Sequence, residues 1–306
     1  MKLCNVLIKV LFFTVVIFVY ISQVYAENSN VNSTMKILWQ KDVAADVNLD
    51  CSLGPVVFDK TTKKLLIAGT SFRPKVYSEG KFWLMEVDTN SGDITRKTTI
   101  KEVNESKATL MLASSLLKSL TVSENNDISL VGKFDGSAHS IMKINRSGNT
   151  NKFIELTGKN NDEKDFSLIH GGINLSKNNL LLMGGGRDGG LAIKVDSEGA
   201  RLWKRKYKIG QGQVDLFNDG LLVEGNEEFV IVGCSANVKG KFPDVIGDNF
   251  IIRCNAQGDV IAKDIFTGNP WPGEQPQVCQ ISSGNFIVVY GKGMQFERSD
   301  INIRAL

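Results

Sequence analysis

His139 and His170 are the only two histidines in the 306-residue chain, so a metal centre built on imidazole would need both of them. The first falls in an expected loop and the second on an expected inner strand, which argues against a shared ion. Acyl transfer of the Ser-His-Asp kind would want a nucleophile elbow, and no G-x-S-x-G occurs. Asn160, Asn161, Asp162, Glu163 and Asp165 offer oxygen ligands to calcium but lack the spacing of an EF-hand. They read as a solvated connection. Glycoside hydrolysis needs two carboxyl groups about 5–9 Å apart across a sugar. Asp135, Asp188, Asp244, Asp248 and Asp300 all fall in expected loops before the third strands of a repeating unit, where turn chemistry accounts for them. No catalytic residue, metal ligand or cofactor is assigned, and a non-enzyme is expected.

The chain that must position any site is an exported one. Residues 1–9 carry Lys2 and Lys9 and no acid, residues 10–22 are almost wholly apolar, and Val24 and Ala26 stand at −3 and −1 before Glu27. This is the pattern of a secretory signal peptide over 1–26, leaving 27–306 as a single mature domain. Lys and Arg number 36 against 33 Asp and Glu, a formal +3. Without the leader the balance is 34 minus 33, or +1, too little to mark a nucleic-acid binder, which masses basic residues on one face. No later segment is apolar for long enough to span a bilayer. A secreted or periplasmic monomer is expected. In an oxidising compartment the four remaining cysteines can pair, and Cys51 with Cys279 is the preferred bridge, each near the start of an inner strand in neighbouring units. The sequons at Asn32, Asn104, Asn145 and Asn174 matter only in a host that glycosylates exported proteins.

The mature chain is a repeat. Short apolar runs end in glycine at Gly69, Gly132, Gly184, Gly233 and Gly291, at intervals of 63, 52, 49 and 58 residues, a mean of 55.5. After each of the first four, a second apolar run enters Asp or Asn and then a glycine turn, at Gly92, Gly148, Gly199 and Gly258. An Asx side chain can bond the backbone ahead of it, and glycine supplies the positive φ of a tight turn. Units of this length with several short strands mark a propeller or solenoid. In the third unit the strands are expected at about 167–174, 180–186, 191–196 and 200–208. No unit holds a helix-length amphipathic run. The 280 mature residues make just over five units, so the expected fold is all-β: a five-bladed β-propeller of four-stranded antiparallel blades, with six blades the nearest alternative. The strand expected at 36–43 would complete the last blade and close the ring. Its Leu38-Trp39-Gln40-Lys41 matches Leu202-Trp203-Lys204-Arg205 of the third unit.

Asp88, Ser91 and Gly92 fit the pattern D-x-x-T/S-G, with Arg96 where a tryptophan would stand. Gly199 and Trp203 fit G-x-x-x-W, with Asp196 one residue too near the glycine. In this the repeat resembles the quinoprotein-like (PQQ-type) β-propeller superfamily, whose blades carry a pattern close to A-x-D-x-x-T-G-x-x-x-W. The resemblance implies the blade architecture. It carries over neither a quinone cofactor nor dehydrogenase activity.

From each strand-ending glycine to the next Asx turn there are 19, 13, 12 and 22 residues in blades one to four. Blades one and four therefore carry the longer loops, and in a ring of five they flank blade five, whose approach, TGNPWPGEQP, is rich in proline. The loops of blades 4, 5 and 1 converge on one sector holding Phe72, Arg73, Tyr77, Lys241, Phe242, Trp271, Phe296 and Arg298. Aromatic residues and arginine are the usual anchors of protein interfaces. The expected partner is a protein, with an inhibitor or immunity role or an assembly scaffold as the two forms. The alternative is a carbohydrate-active enzyme or lectin using the central funnel.

Overall fold

The computed structural model describes residues 50–73, 76–123 without 101–116, 126–133, 139–156, 169–186, 189–211, 214–225, 227–238, 245–267, 276–280, 285–292 and 300–305. The described residues form strands, with one short 3-10 turn at Ser176–Asn178. Four strands, β1 (Asp50–Asp59), β2 (Lys64–Arg73), β3 (Val76–Asp88) and β4 (Ile94–Thr99), make an antiparallel sheet in chain order. Strands β5 (Leu117–Val122), β6 (Ile128–Lys133), β7 (His139–Ile144) and β8 (Thr150–Glu155) repeat it.

The third and fourth units are β9 (Ile169–Asn174), β10 (Leu180–Gly186), β11 (Gly189–Val195), β12 (Arg201–Tyr207), and then β13 (Val214–Leu222), β14 (Phe229–Val238), β15 (Val245–Cys254) and β16 (Val260–Thr267). They share one sheet because β13 also pairs with the glycine end of β10, Gly185 with Leu216 and Gly186 with Asp215. The third unit's strands fall within two residues of the sequence expectation. Strands β17 (Gln277–Gln280), β18 (Phe286–Lys292) and β19 (Asp300–Ala305) form a sheet of three. The strand expected at 36–43, and the leader before it, lie outside the described residues.

The first strands of successive units lie side by side, β1 against β5, β5 against β9, β9 against β13 and β13 against β17. The core fills the seams between the sheets. Leu180 and Leu182 face the second unit, packing with Val131, Ile141 and Ile193. Leu181 and Met183, the alternate side chains of the same strand, face the fourth, packing with Phe217, Ile231 and Phe250. Phe229 and Ile231 in turn face the third unit, and Val230 and Val232 face Val288 of the last sheet. This is why the repeat reads as unbroken apolar runs rather than alternation: both faces of each second strand are buried.

The second repeated motif is the clasp between units. Asp88, Asn145, Asp196 and Asn255 each accept two backbone N–H bonds from their own turns at 2.8–3.0 Å. The turn glycines Gly148, Gly199 and Gly258 have φ of 76°, 83° and 83°. Each also lies on the outer strand of the unit before it, where a Cβ would press on Thr98, Ile154 and Trp203 respectively. Polar contacts fasten the same joints: Arg96 to Ser147, Lys152 to Glu198, and Arg205 to the Gln257 carbonyl at 2.8 Å and to Asp259 at 2.9 Å. Every one of the outer strands β4, β8, β12 and β16 begins with a bulge against its third strand, a device that bends an edge away from further pairing.

Candidate functional site

The long segments of the first and fourth units are not loops. In the first, the ladder continues past Gly69 until Arg73 pairs with Val76, so Phe72, Arg73 and Tyr77 stand on a projecting hairpin. In the fourth, it continues past Gly233 until Val238 pairs with Val245. In the second and third units the last pairs are Lys133 with His139 and Gly186 with Gly189. Counted from the strand-ending glycines, the two long hairpins rise four and five residues, about 13–17 Å, against one and two residues in their neighbours. Lys241 and Phe242 belong to the six residues that close the fourth hairpin; with Trp271, Phe296 and Arg298 they lie outside the described residues.

Buried polar groups gather at the hairpin end of the sheets. Thr70 Oγ1 and Ser140 Oγ are buried without a hydrogen-bond partner, and both face the seam between the first two units. Asp215, fully buried, accepts from the Ile209 N–H at 3.2 Å and sits 3.5 Å from Lys208 Nζ. Its other oxygen, Oδ1, has no partner, and neither does either amide atom of the fully buried Asn249. Asn218 Nδ2 points at Cys234 Sγ, 4.0 Å away, and burial pushes the Cys234 thiol up to about 11. Asp219, one step along β13 past a bulge, accepts the N–H of Val278 at 2.9 Å across the seam to the last sheet. Burial pushes its carboxyl up to about 6, against the pull of the Val278 and Gly220 N–H groups.

Two carboxylates are brought together at the opposite end, Asp59 and Glu86, and both are bound by one guanidinium, Arg146. Burial raises Asp59 most, but hydrogen bonds from Thr62, Arg146 and the Thr61 N–H outweigh it and leave the carboxyl below its usual range. A carboxylate so held is a structural anion rather than a proton carrier. His139 opens β7 and is buried; it is not in a loop. Asp248 likewise lies inside β15. Among the described residues no group of three His, Cys, Asp or Glu side chains is placed to hold a metal ion. Cys234, Cys254 and Cys279 are free thiols, and the side chain of Cys51, the partner expected for Cys279, lies outside the described residues. No helix among the described residues is long and apolar enough to cross a membrane.

No protein-family model and no curated protein matches the sequence. Among solved structures, a point mutant of the NanB sialidase from Streptococcus pneumoniae superposes with a TM-score of 0.53 at 7% identity, over 84% of this chain and 55% of that one. The fold is β-propeller-like. The arabinanase Arb43A of Bacillus subtilis aligns at 11% identity with a TM-score of 0.40, over 83% of this chain and 92% of that one. A regucalcin from Agrobacterium tumefaciens aligns at 13% identity with a TM-score of 0.34, over 64% and 55%. This chain spans just over half the length of the sialidase it matches. At these identities the likeness is one of fold.

Proposed function

We propose that the protein is an exported propeller that binds a protein partner at its hairpin end, through the units numbered one, four and five. The observation that carries this reading is the inequality of the hairpins. A scaffold needs only short second-to-third connections, as the second and third units have, so the extended ladders of the first and fourth are additions to one side of the molecule. Functional residues concentrate on such elements when a rigid sheet holds their base. Replacing Arg73, Tyr77 and Phe242 together should abolish capture of a stoichiometric protein by residues 27–306 while leaving the Tm within a degree or two. A variant that captures the same protein as before sinks the reading. An inhibitor and an assembly scaffold then divide on whether the captured protein is an enzyme that loses activity on binding.

A carbohydrate ligand is the second reading, favoured by the buried polar atoms without a partner at the same end, Thr70 Oγ1, Ser140 Oγ, Asp215 Oδ1 and the Asn249 amide. A glycan that binds the triple variant as well as the parent would favour it.

The blade number belongs to the same proposal. Five blades of the quinoprotein-like kind, closed by residues 36–43, account for the three strands of β17–β19 where the other units have four. The geometry of β12 supports the closure. Trp203 lies on Gly258, and Arg205 binds Asp259 in the next turn. By the match of Leu38-Trp39-Gln40-Lys41 to Leu202-Trp203-Lys204-Arg205, Trp39 would lie on Gly92 and Lys41 would reach Asp93.

A further inference from the structure

Three of the outer strands have a turn glycine of the following unit pressed against them, Gly148 on Thr98 of β4, Gly199 on Ile154 of β8, and Gly258 on Trp203 and Arg205 of β12. Among the described residues no glycine turn meets the fourth, β16. The side of β16 turned to the last sheet carries Val260, Ala262, Asp264 and Phe266. Asp264 stands opposite Ile251, and Ile251 and Phe266 pack with Val288. Phe266 is buried, but Val260 is 39% exposed and Ala262 is exposed.

The turn over β12 fits that strand in volume and in charge. Trp203, fourth after Gly199, lies on Gly258, 3.1 Å from where a Cβ would stand. Arg205, sixth after Gly199, pairs with Asp259, which is fourth after the Asx residue Asn255. On β16 both demands are inverted. The fourth residue after Gly258 is Ala262 and the sixth is Asp264, so a turn laid there needs bulk where Gly258 has none and a cation where Asp259 has its carboxylate. Asp264 is engaged within the chain. Residues 32–36 meet both demands. The match of Leu38-Trp39 to Leu202-Trp203 extends back to Asn32-Ser33 against Asp196-Ser197, each pair beginning seven residues before its tryptophan. Third after Asn32, at the turn-glycine place, is Met35, and fourth is Lys36. The segment is not consecutive with β19, so no tight hairpin demands of Met35 the positive φ that Gly199 and Gly258 adopt. Inverting both members of a pair keeps a joint complementary while making it reject the other turn.

We propose that residues 32–36 are the turn over β16, with the Asn32 carboxamide closing it, Met35 on Ala262 and the Lys36 ammonium on the Asp264 carboxylate. This placement rests on the closure by residues 36–43 and carries it to the joint before. One N-terminal strap then fastens the fourth unit through Lys36 and the first through Trp39, the two units that flank the last sheet and bear the long hairpins.

The test uses the full chain. A zero-length carbodiimide joins an ammonium to a carboxylate only where the two touch, and peptide mapping should recover Lys36 linked to Asp264. Lys36→Asp and Asp264→Lys should each lower the Tm by about 2 °C at low salt. The doubly swapped chain should regain at least half of the summed loss, because residues in contact do not add. The proposal is overturned if no link between Lys36 and Asp264 is recovered, if Lys36 is joined to another carboxylate instead, or if the two single losses add in the double variant. Trp39→Ala separates this failure from failure of the closure. A fall in its Tm without coupling between 36 and 264 keeps residues 36–43 in the last sheet and removes only the turn over β16. An unchanged Tm removes both.

Discussion

Arg146 Nη1 donates to Glu86 Oε1 at 2.9 Å, and the second amino group of the same guanidinium donates to Asp59. Glu86 belongs to β3 and Asp59 ends β1, whereas Arg146 sits in the turn between β7 and β8. One side chain therefore ties two carboxylates of the first sheet to the second, at the end away from the projecting hairpins.

Removing Arg146 should be costly for that reason. Arg146→Ala leaves Asp59 with only Thr62 and the Thr61 N–H, and Glu86 with only Lys64 and Arg96, so the loss should approach but not exceed the ~3 kcal/mol of an uncompensated buried charge. A urea titration of the variant should show the loss as a lowered midpoint with an unchanged slope. Lys60→Ala breaks an ion pair whose side chains are 72% and 64% exposed and should leave the midpoint in place.

Asp219 should give stability an unusual dependence on pH. Its folded-state value of about 6 lies above the ordinary 3.8, so the half-buried carboxyl is stabilising while protonated. That contribution is complete below about pH 4 and is lost as pH rises through 6, on the order of 2 kcal/mol. Asp219→Asn should flatten the stability difference between pH 4 and 8. A variant with the parent's pH slope would place the titration elsewhere.

The thiols should divide by burial. Burial pushes Cys234 up to about 11 and Cys254 up to about 12, and both are buried, whereas Cys279 is exposed. Iodoacetamide at pH 8 followed by peptide mapping should label Cys279 in the native protein. Cys234 and Cys254 should be labelled only in denaturant, because thiolate is the reacting form.

Gly190 should not tolerate a methyl group. A Cβ there would overlap the Phe217 ring, 2.6 Å from Cζ, and Phe217 is already fixed between Tyr207 and Phe250 at 5.3 and 5.7 Å. Gly190→Ala should cost about 1–3 kcal/mol of overpacking, read as a fall in Tm.

Trp39→Ala tests the closure proposed for residues 36–43. If Trp39 covers Gly92 as Trp203 covers Gly258, its loss should cost about 3 kcal/mol, the toll of deleting a large packed aromatic. An unchanged Tm would detach that segment from the fold.

The sequence made some of this legible because the physics is local. Runs such as Leu180–Met183 and Phe229–Val232 announce strands buried on both faces, and the Asx-glycine turns at Asp196 and Asn255 fix where the third strand ends. The hairpins were harder to read. Gly, Pro and Lys between Gly69 and Phe82 give the composition of a loop, while backbone pairing keeps the ladder going to Arg73. The side-chain pairings between units, beyond the glycine turns themselves, left no trace. Arg146 meets Asp59 across 87 positions, and the bulge that presents Asp219 to Val278 has no residue signature.

The clasp between units also has a direction. The outer strands β4, β8 and β12 are each covered by a turn that belongs to the following unit, Gly148, Gly199 and Gly258 in that order. As the chain leaves the ribosome, a finished sheet thus keeps an uncovered rim until the third strand of the next one has emerged. Synthesis halted between units would leave the newest sheet the least protected, and nascent-chain proteolysis should cut first at that last outer strand.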